Sequence, residues 1–188
     1  MRFSGKKTDL LKQITFFLAA ILFCFSALAE GIRVDSAKFS PNDDYRLNAR
    51  FEIKLSPTLE DALKKGVPLS FLTEFELTRV RWYWFDEKVA EASWHTKLSY
   101  NALTQQYRLT SGTLYQNFDS LPEAVSVLSN LLHRQVIDMN ALRKGAKYVG
   151  RVRMSLDVSL LPKPFQVDAI ASSEWNLGSD WFQWEFVP

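Results

Sequence analysis

Residues 45–55 read Tyr45-Arg46-Leu47-Asn48-Ala49-Arg50-Phe51-Glu52-Ile53-Lys54-Leu55. The odd positions are apolar or aromatic, and the even positions are polar or charged. Successive strand side chains point to opposite faces, so this run predicts a strand with one buried and one wet face. Alternation of this kind suits antiparallel sheets, because strands of parallel sheets are covered on both faces and read as continuous apolar runs. The pattern recurs along the chain. Between Tyr148 and Leu160, Val152, Met154, Leu156 and Val158 oppose Arg151, Arg153, Ser155 and Asp157. Ala90, Ala92, Trp94, Leu98 and Tyr100 oppose Glu91, Ser93, His95, Lys97 and Ser99. Tyr107 to Tyr115 and Trp181 to Val187 predict two further strands, and Ile32 to Phe39 a weaker first one.

Two connections have helical character. Ser56-Pro57-Thr58 opens the first, with Leu59, Ala62 and Leu63 on one face and Gly66 as a stop. Ser120 to Leu132 is the second, with Pro122 near its start and Leu121, Val125, Leu128 and Leu132 at helical spacing. The polar break Asp86-Glu87-Lys88 predicts a hairpin. Pro162 and Pro164 end the long strand, and a connection of about 18 residues leads to a turn at Gly178–Asp180. The expected fold is mainly β: a single antiparallel β-sandwich, Ig-like or a partly closed barrel, with two short helices in connections.

The segment Leu69 to Phe85 breaks the rule. Leu69, Phe71, Phe75 and Leu77 are apolar at odd positions, but Val80, Trp82 and Trp84 are apolar at even ones. One unbroken strand cannot bury both sets on one face. The expectation is a β-bulge near Thr78-Arg79 or a strand crossing between sheets. If neither occurs, Trp82 and Trp84 face outward.

The N-terminus reads as an address. Arg2, Lys6, Lys7 and Lys12 precede Ile14–Ala29, an uncharged run of 16 residues that ends Ala27-Leu28-Ala29. A basic start, a short apolar run and a small-x-small site predict a cleaved secretory signal over residues 1–29. A spanning helix needs about 20 residues; an uncleaved N-terminal membrane anchor is the alternative. Both place residues 30–188, read as one domain, in the periplasm or outside the cell. The lone Cys24 lies inside the apolar run, so neither a disulfide nor a cysteine-based metal site is expected. The whole chain carries 23 bases and 21 acids, and the first 29 residues hold four of those bases and one acid. The remaining 159 residues are near −1, which gives no reason to expect a nucleic-acid partner.

Several stretches together resemble a known family. They are Leu59 to Leu69, Arg79-Val80-Arg81-Trp82-Tyr83-Trp84, Leu98 to Leu109, and Leu161-Pro162-Lys163-Pro164. In this order they are similar to a bacterial domain of unknown function, the family numbered 4390, whose members carry signal peptides. The resemblance spans essentially the whole mature chain. It implies no catalytic residue and no cofactor. It does imply a partner, because members are often encoded beside a membrane sensor histidine kinase of the nitrogen-regulation type.

No nucleophile elbow, zinc-protease helix or phosphate loop is present in the sequence. His95 and His133 are its two histidines. Glu91 and His95 share a strand face but stand about 13 Å apart, too far to chelate one metal. Glu74 and Glu76, about 7 Å apart on one face, would suit a hydrolase only in a cleft; beside Arg79 and Arg81 they read as a solvated charge ladder. The aromatics are harder to assign. All six Trp lie in the mature chain, and Phe182, Trp184 and Phe186 oppose Trp181 on the last strand. Core packing explains most of them; Arg79, Arg81, Trp82, Trp84 and Trp181 are the candidate partner- or ligand-binding residues. The expected function is an exported, non-enzymatic binding module that partners a membrane protein such as a sensor kinase. The alternatives are a carrier or sensor of a small apolar or sugar-like ligand and, behind that, a hydrolase.

Overall fold

The computed structural model describes residues 31–40, 44–83 and 85–188. The signal reading lies outside the described residues. Among those described, no helix is long and apolar enough to cross a membrane.

The chain is mainly β, two antiparallel sheets packed as a sandwich without closing into a barrel. The smaller sheet has three strands, β1 (Gly31–Ser40), β2 (Arg46–Lys54) and β7 (Asn130–Arg134), in the order β1-β2-β7. The larger contains β3 (Leu69–Arg79), β4 (Glu87–Asn101), β5 (Gln106–Ser111), β6 (Leu114–Phe118), β8 (Tyr148–Leu156) and β9 (Phe182–Phe186). Its order is β6-β5-β4-β3-β8-β9, with every neighbour antiparallel. Three helices fill connections: α1 (Pro57–Lys64), α2 (Leu121–Leu128) and α3 (Lys163–Ala171).

Alternation sets the core. The apolar positions of β2 bury Leu47, Ala49, Phe51 and Ile53, and those of β3 bury Leu69, Phe71, Phe75 and Leu77. Each large side chain so removed from water contributes roughly 1.5–3 kcal/mol. The centre is aromatic: Phe39 lies 4.7 Å from Phe186, 5.3 Å from Trp184 and 5.9 Å from Phe75. Trp184 faces Gly150 across the β8–β9 ladder, and its indole occupies the space a side chain at 150 would need.

α1 starts where the sequence places it. The Ser56 hydroxyl accepts from the Leu59 amide, and Gly66 takes a left-handed turn (φ 88°) after the last turn of helix. The Ser120 hydroxyl caps α2 in the same way, accepting from the Glu123 amide.

Four local expectations need correction. The run Tyr107–Tyr115 is not one strand: it turns at Gly112 (φ 61°), and its two halves pair as β5 and β6. The second helix stops at Leu128, not Leu132; Asn130–Arg134 leaves it as β7, pairing with β2 through Leu47, Ala49 and Arg50. The strand from Tyr148 ends at Leu156, because Asp157 accepts from both the amide and the hydroxyl of Ser159 and turns the backbone into a short 3-10 segment. Val158 and Leu160 are therefore exposed. The long connection after Pro162 contains α3, a third helix.

Candidate functional site

The parity break at Leu69–Phe85 resolves as a strand end. β3 keeps one parity throughout, with Leu69, Phe71, Thr73, Phe75, Leu77 and then Arg79 all inward and buried. Its register with β8 runs unbroken from Phe71↔Leu156 to Arg79↔Tyr148. The strand neither bulges nor crosses between sheets. The extra residue is on the neighbouring strand: Leu77 faces Ala90 and Thr78 faces Lys88, which leaves Val89 as a bulge in β4.

Arg79 is buried because its charge has a local partner. Its aliphatic stem packs inward while the guanidinium reaches Glu87 at the rim of the sandwich. Arg81, half-buried, meets the same Glu87 oxygen. The Arg81 amide donates to Asp86 Oδ1 at 3.3 Å, and the Val80 amide donates to the Lys147 carbonyl at 3.0 Å. The Arg81 hydrogen bond, against a cost from burial, and the charges of Arg79, Arg81 and Arg143 hold the Glu87 carboxyl below its ordinary value. One carboxylate thus clasps two arginines across the base of the hairpin.

Beyond this clasp three aromatic side chains are exposed. Trp82 is 92% exposed, Phe85 86% and Tyr83 67%. Trp82 and Tyr83 stack edge to face at 5.0 Å. Trp84, the fourth aromatic of the run, lies outside the described residues. The hairpin also presents backbone. β5 pairs with β4 only from Lys97 to Asn101, so no described strand pairs with the outer edge of Glu87–Thr96. An uncovered edge is a template for a further strand. Here it sits directly beneath the aromatic tip.

Trp181 is placed differently. It is half-buried on the outer face of the large sheet, with the Arg153 and Arg151 guanidinium carbons 4.5 and 5.0 Å from its ring centroid. Those arginines also pair with the carboxylates of the hydrolase reading: Arg153 Nε donates to Glu74 at 2.6 Å, and Arg151 donates to Glu76. Lys88 adds Glu91 at 2.9 Å and Glu76 at 3.7 Å. Burial opposes ionisation of Glu76, but the hydrogen bond and charge of Arg151, then Lys88, outweigh it and lower its pKa. The ladder pairs each of these carboxylates with a base, and none of them lines the cavities found among the described residues. Trp181 is a lid on that ladder, separate from the hairpin tip.

The histidines do not meet. His95 Nε2 lies 2.9 Å from Asp157 Oδ2, and the His133 amide donates to Asn48. Among the described residues no group of three or more His, Cys, Asp or Glu converges on a metal position. Sequence reasoning missed Tyr83 and Phe85 as tip residues, although they flank the named tryptophans. It also missed Asp157 as the partner of His95, which topology alone supplies.

A family model described as "Domain of unknown function (DUF4390)" matches residues 29–185. No curated protein and no solved structure matches the chain.

Proposed function

The chain belongs to the DUF4390 family, and from that premise we propose that it is an exported, non-enzymatic interaction module. It docks on a membrane protein of the cell envelope through the tip of the β3–β4 hairpin. The observation that carries this reading is the exposure of Trp82, Tyr83 and Phe85 above a fixed base. Burying a Phe-sized side chain gains roughly 1.5–3 kcal/mol, and leaving three aromatics in water forgoes that gain. Trp, Tyr and Arg are also the residue types that dominate interface energies. The Arg79–Glu87–Arg81 clasp and the backbone bonds of Val80 and Arg81 order the base before any partner arrives, which lowers the cost of association. The uncovered edge of β4 adds main-chain donors and acceptors beside the aromatics.

The partner is a sensor kinase of the inner membrane, in keeping with the gene neighbourhood of the family. A non-enzymatic role suits the outer face of the large sheet, where Glu74 and Glu76 are each paired with an arginine. Pull-down from detergent-solubilised membranes, with the tagged full chain as bait, tests the reading. Wild type enriches a kinase, and Trp82→Ala/Phe85→Ala loses it. Equal recovery by both baits, or no membrane protein after cross-linking, contradicts it.

A further inference from the structure

The two sheets are unequal, and the mismatch leaves a hollow. β1 lies over β8 and β9, so the three-stranded sheet covers one side of the six-stranded one. On the other side β7 and α2 roof the inner faces of β4, β5 and β6, and a cavity of about 240 Å³ remains beneath them. Its wall is largely apolar, with Leu109, Leu114, Leu128 and Met154 among the residues that line it. An apolar cavity of about 150 Å³ already admits benzene. This one has room for a substituted ring or a short acyl chain.

The lining is not wholly apolar: Thr96, Ser111, Gln116 and Asn130 also contribute to it. Trp94 lies there, and its cross-strand neighbour is Thr73. Thr73 is 2% exposed, and its side chain lines the cavity. Arg134 of β7 lines the same cavity, with its guanidinium carbon 4.9 Å from the Trp94 ring centroid. Among the described residues no carboxylate pairs with it, and no Asp or Glu lines the cavity. An exposed cation and a threonine side chain thus flank one indole in a largely apolar hollow. We propose that this cavity is a binding site for a small amphiphile whose anionic head meets Arg134 and Thr73 and whose apolar tail enters between β5, β6 and α2. The class is a short-chain or aryl carboxylate.

Calorimetric titration of the full-chain protein with octanoate tests the assignment, with octylamine and octan-1-ol as comparisons. Wild type binds octanoate at sub-millimolar concentration and prefers it to octylamine, which is cationic at neutral pH. Arg134→Gln weakens octanoate at least about tenfold, since a hydrogen bond to a charged group is worth that much. It leaves octan-1-ol unchanged. Thr73→Val weakens octanoate without weakening octan-1-ol. Leu114 is 77% exposed at the rim, so Leu114→Glu keeps the fold and repels the carboxylate even if the other variants misfold. Trp82→Ala/Phe85→Ala binds octanoate like wild type, which separates this site from the hairpin tip. No binding of octanoate at millimolar concentration overturns the proposal. So does equal affinity for octylamine, or octanoate affinity unmoved by both Arg134→Gln and Leu114→Glu.

Discussion

Gly150 and Trp184 test the packing of the sandwich as a pair. Gly150 sits in β8 opposite Trp184, and its backbone is outside the left-handed region. An alanine there is therefore conformationally allowed, and the obstacle is steric. Its Cβ would lie 2.7 Å from Cζ2, 2.8 Å from Cε2 and 3.1 Å from Cη2 of the indole. Carbon atoms pack at about 3.5–4.0 Å, so the shortfall is roughly 1 Å. The indole cannot simply retreat, because Phe39 stands 5.3 Å away and both Phe75 and Phe182 6.3 Å away, centroid to centroid. Gly150→Ala is an overpacking substitution and costs about 1–3 kcal/mol. At this chain length that lowers Tm by about 2–4 °C per kcal/mol. In a Trp184→Val background the clash is gone. The same alanine then stabilises by about 0.4–1 kcal/mol, because it restricts the unfolded chain. The sign of the effect reverses, with a coupling of about 1.4–4 kcal/mol between the two sites. Urea unfolding followed by far-UV circular dichroism measures all four members of the cycle, independently of the altered tryptophan fluorescence. If Gly150→Ala costs the same in both backgrounds to within about 0.3 kcal/mol, the reasoning is wrong.

Three further outcomes follow from the same structure. Trp82→Ala/Phe85→Ala changes folding stability by no more than about 0.5 kcal/mol, because both rings are exposed; a larger loss in urea titration would mean that they pack on the domain. Ser56→Ala removes the α1 cap and a 3.2 Å hydrogen bond to the Glu174 carbonyl from a residue that is 2% exposed, and costs about 1–2 kcal/mol in the same assay. For Asp157, the Ser159 hydrogen bond works against burial, His95 adds to it, and the pKa falls; Glu76 is lowered as described above. Both carboxyls bind fewer protons folded than unfolded. Their contribution is full above the unfolded values near 4 and is lost as pH falls below them toward the native values. Asp157→Asn/Glu76→Gln therefore flattens the fall in urea midpoint between neutral and acidic pH, and an unchanged slope would refute the assignment.

Alternation alone was enough to place β1, β2, β4, β8 and β9, because each has one covered face. The starts of α1 and α2 were legible in Ser56-Pro57 and Ser120 ahead of Pro122, where capping is a local matter. β7 was hidden because Leu128 and Leu132 keep helical spacing across the end of α2, and only pairing with β2 turns the second into a strand residue. α3 was hidden for the opposite reason: Phe165, Val167, Ala169 and Ala171 alternate, so no helical stripe appears. The parity break at Thr78 was visible, but its cause was not. A polarity pattern places Arg79 outward, and only the clasp with Glu87 lets it continue the buried row. The cavity could not be read at all, since Thr73, Trp94, Leu128 and Arg134 come from four separate elements that the sheet order brings together.

The most direct test of the interaction reading is site-specific photo-cross-linking in living cells. A photoreactive residue replaces Trp82 in the full chain, and another replaces Gln183 on β9, an exposed position away from the tip. The account predicts a covalent adduct with an inner-membrane sensor kinase from position 82 and none from position 183. Adducts of equal yield from both positions, or none from position 82 with the protein folded and exported, would contradict it.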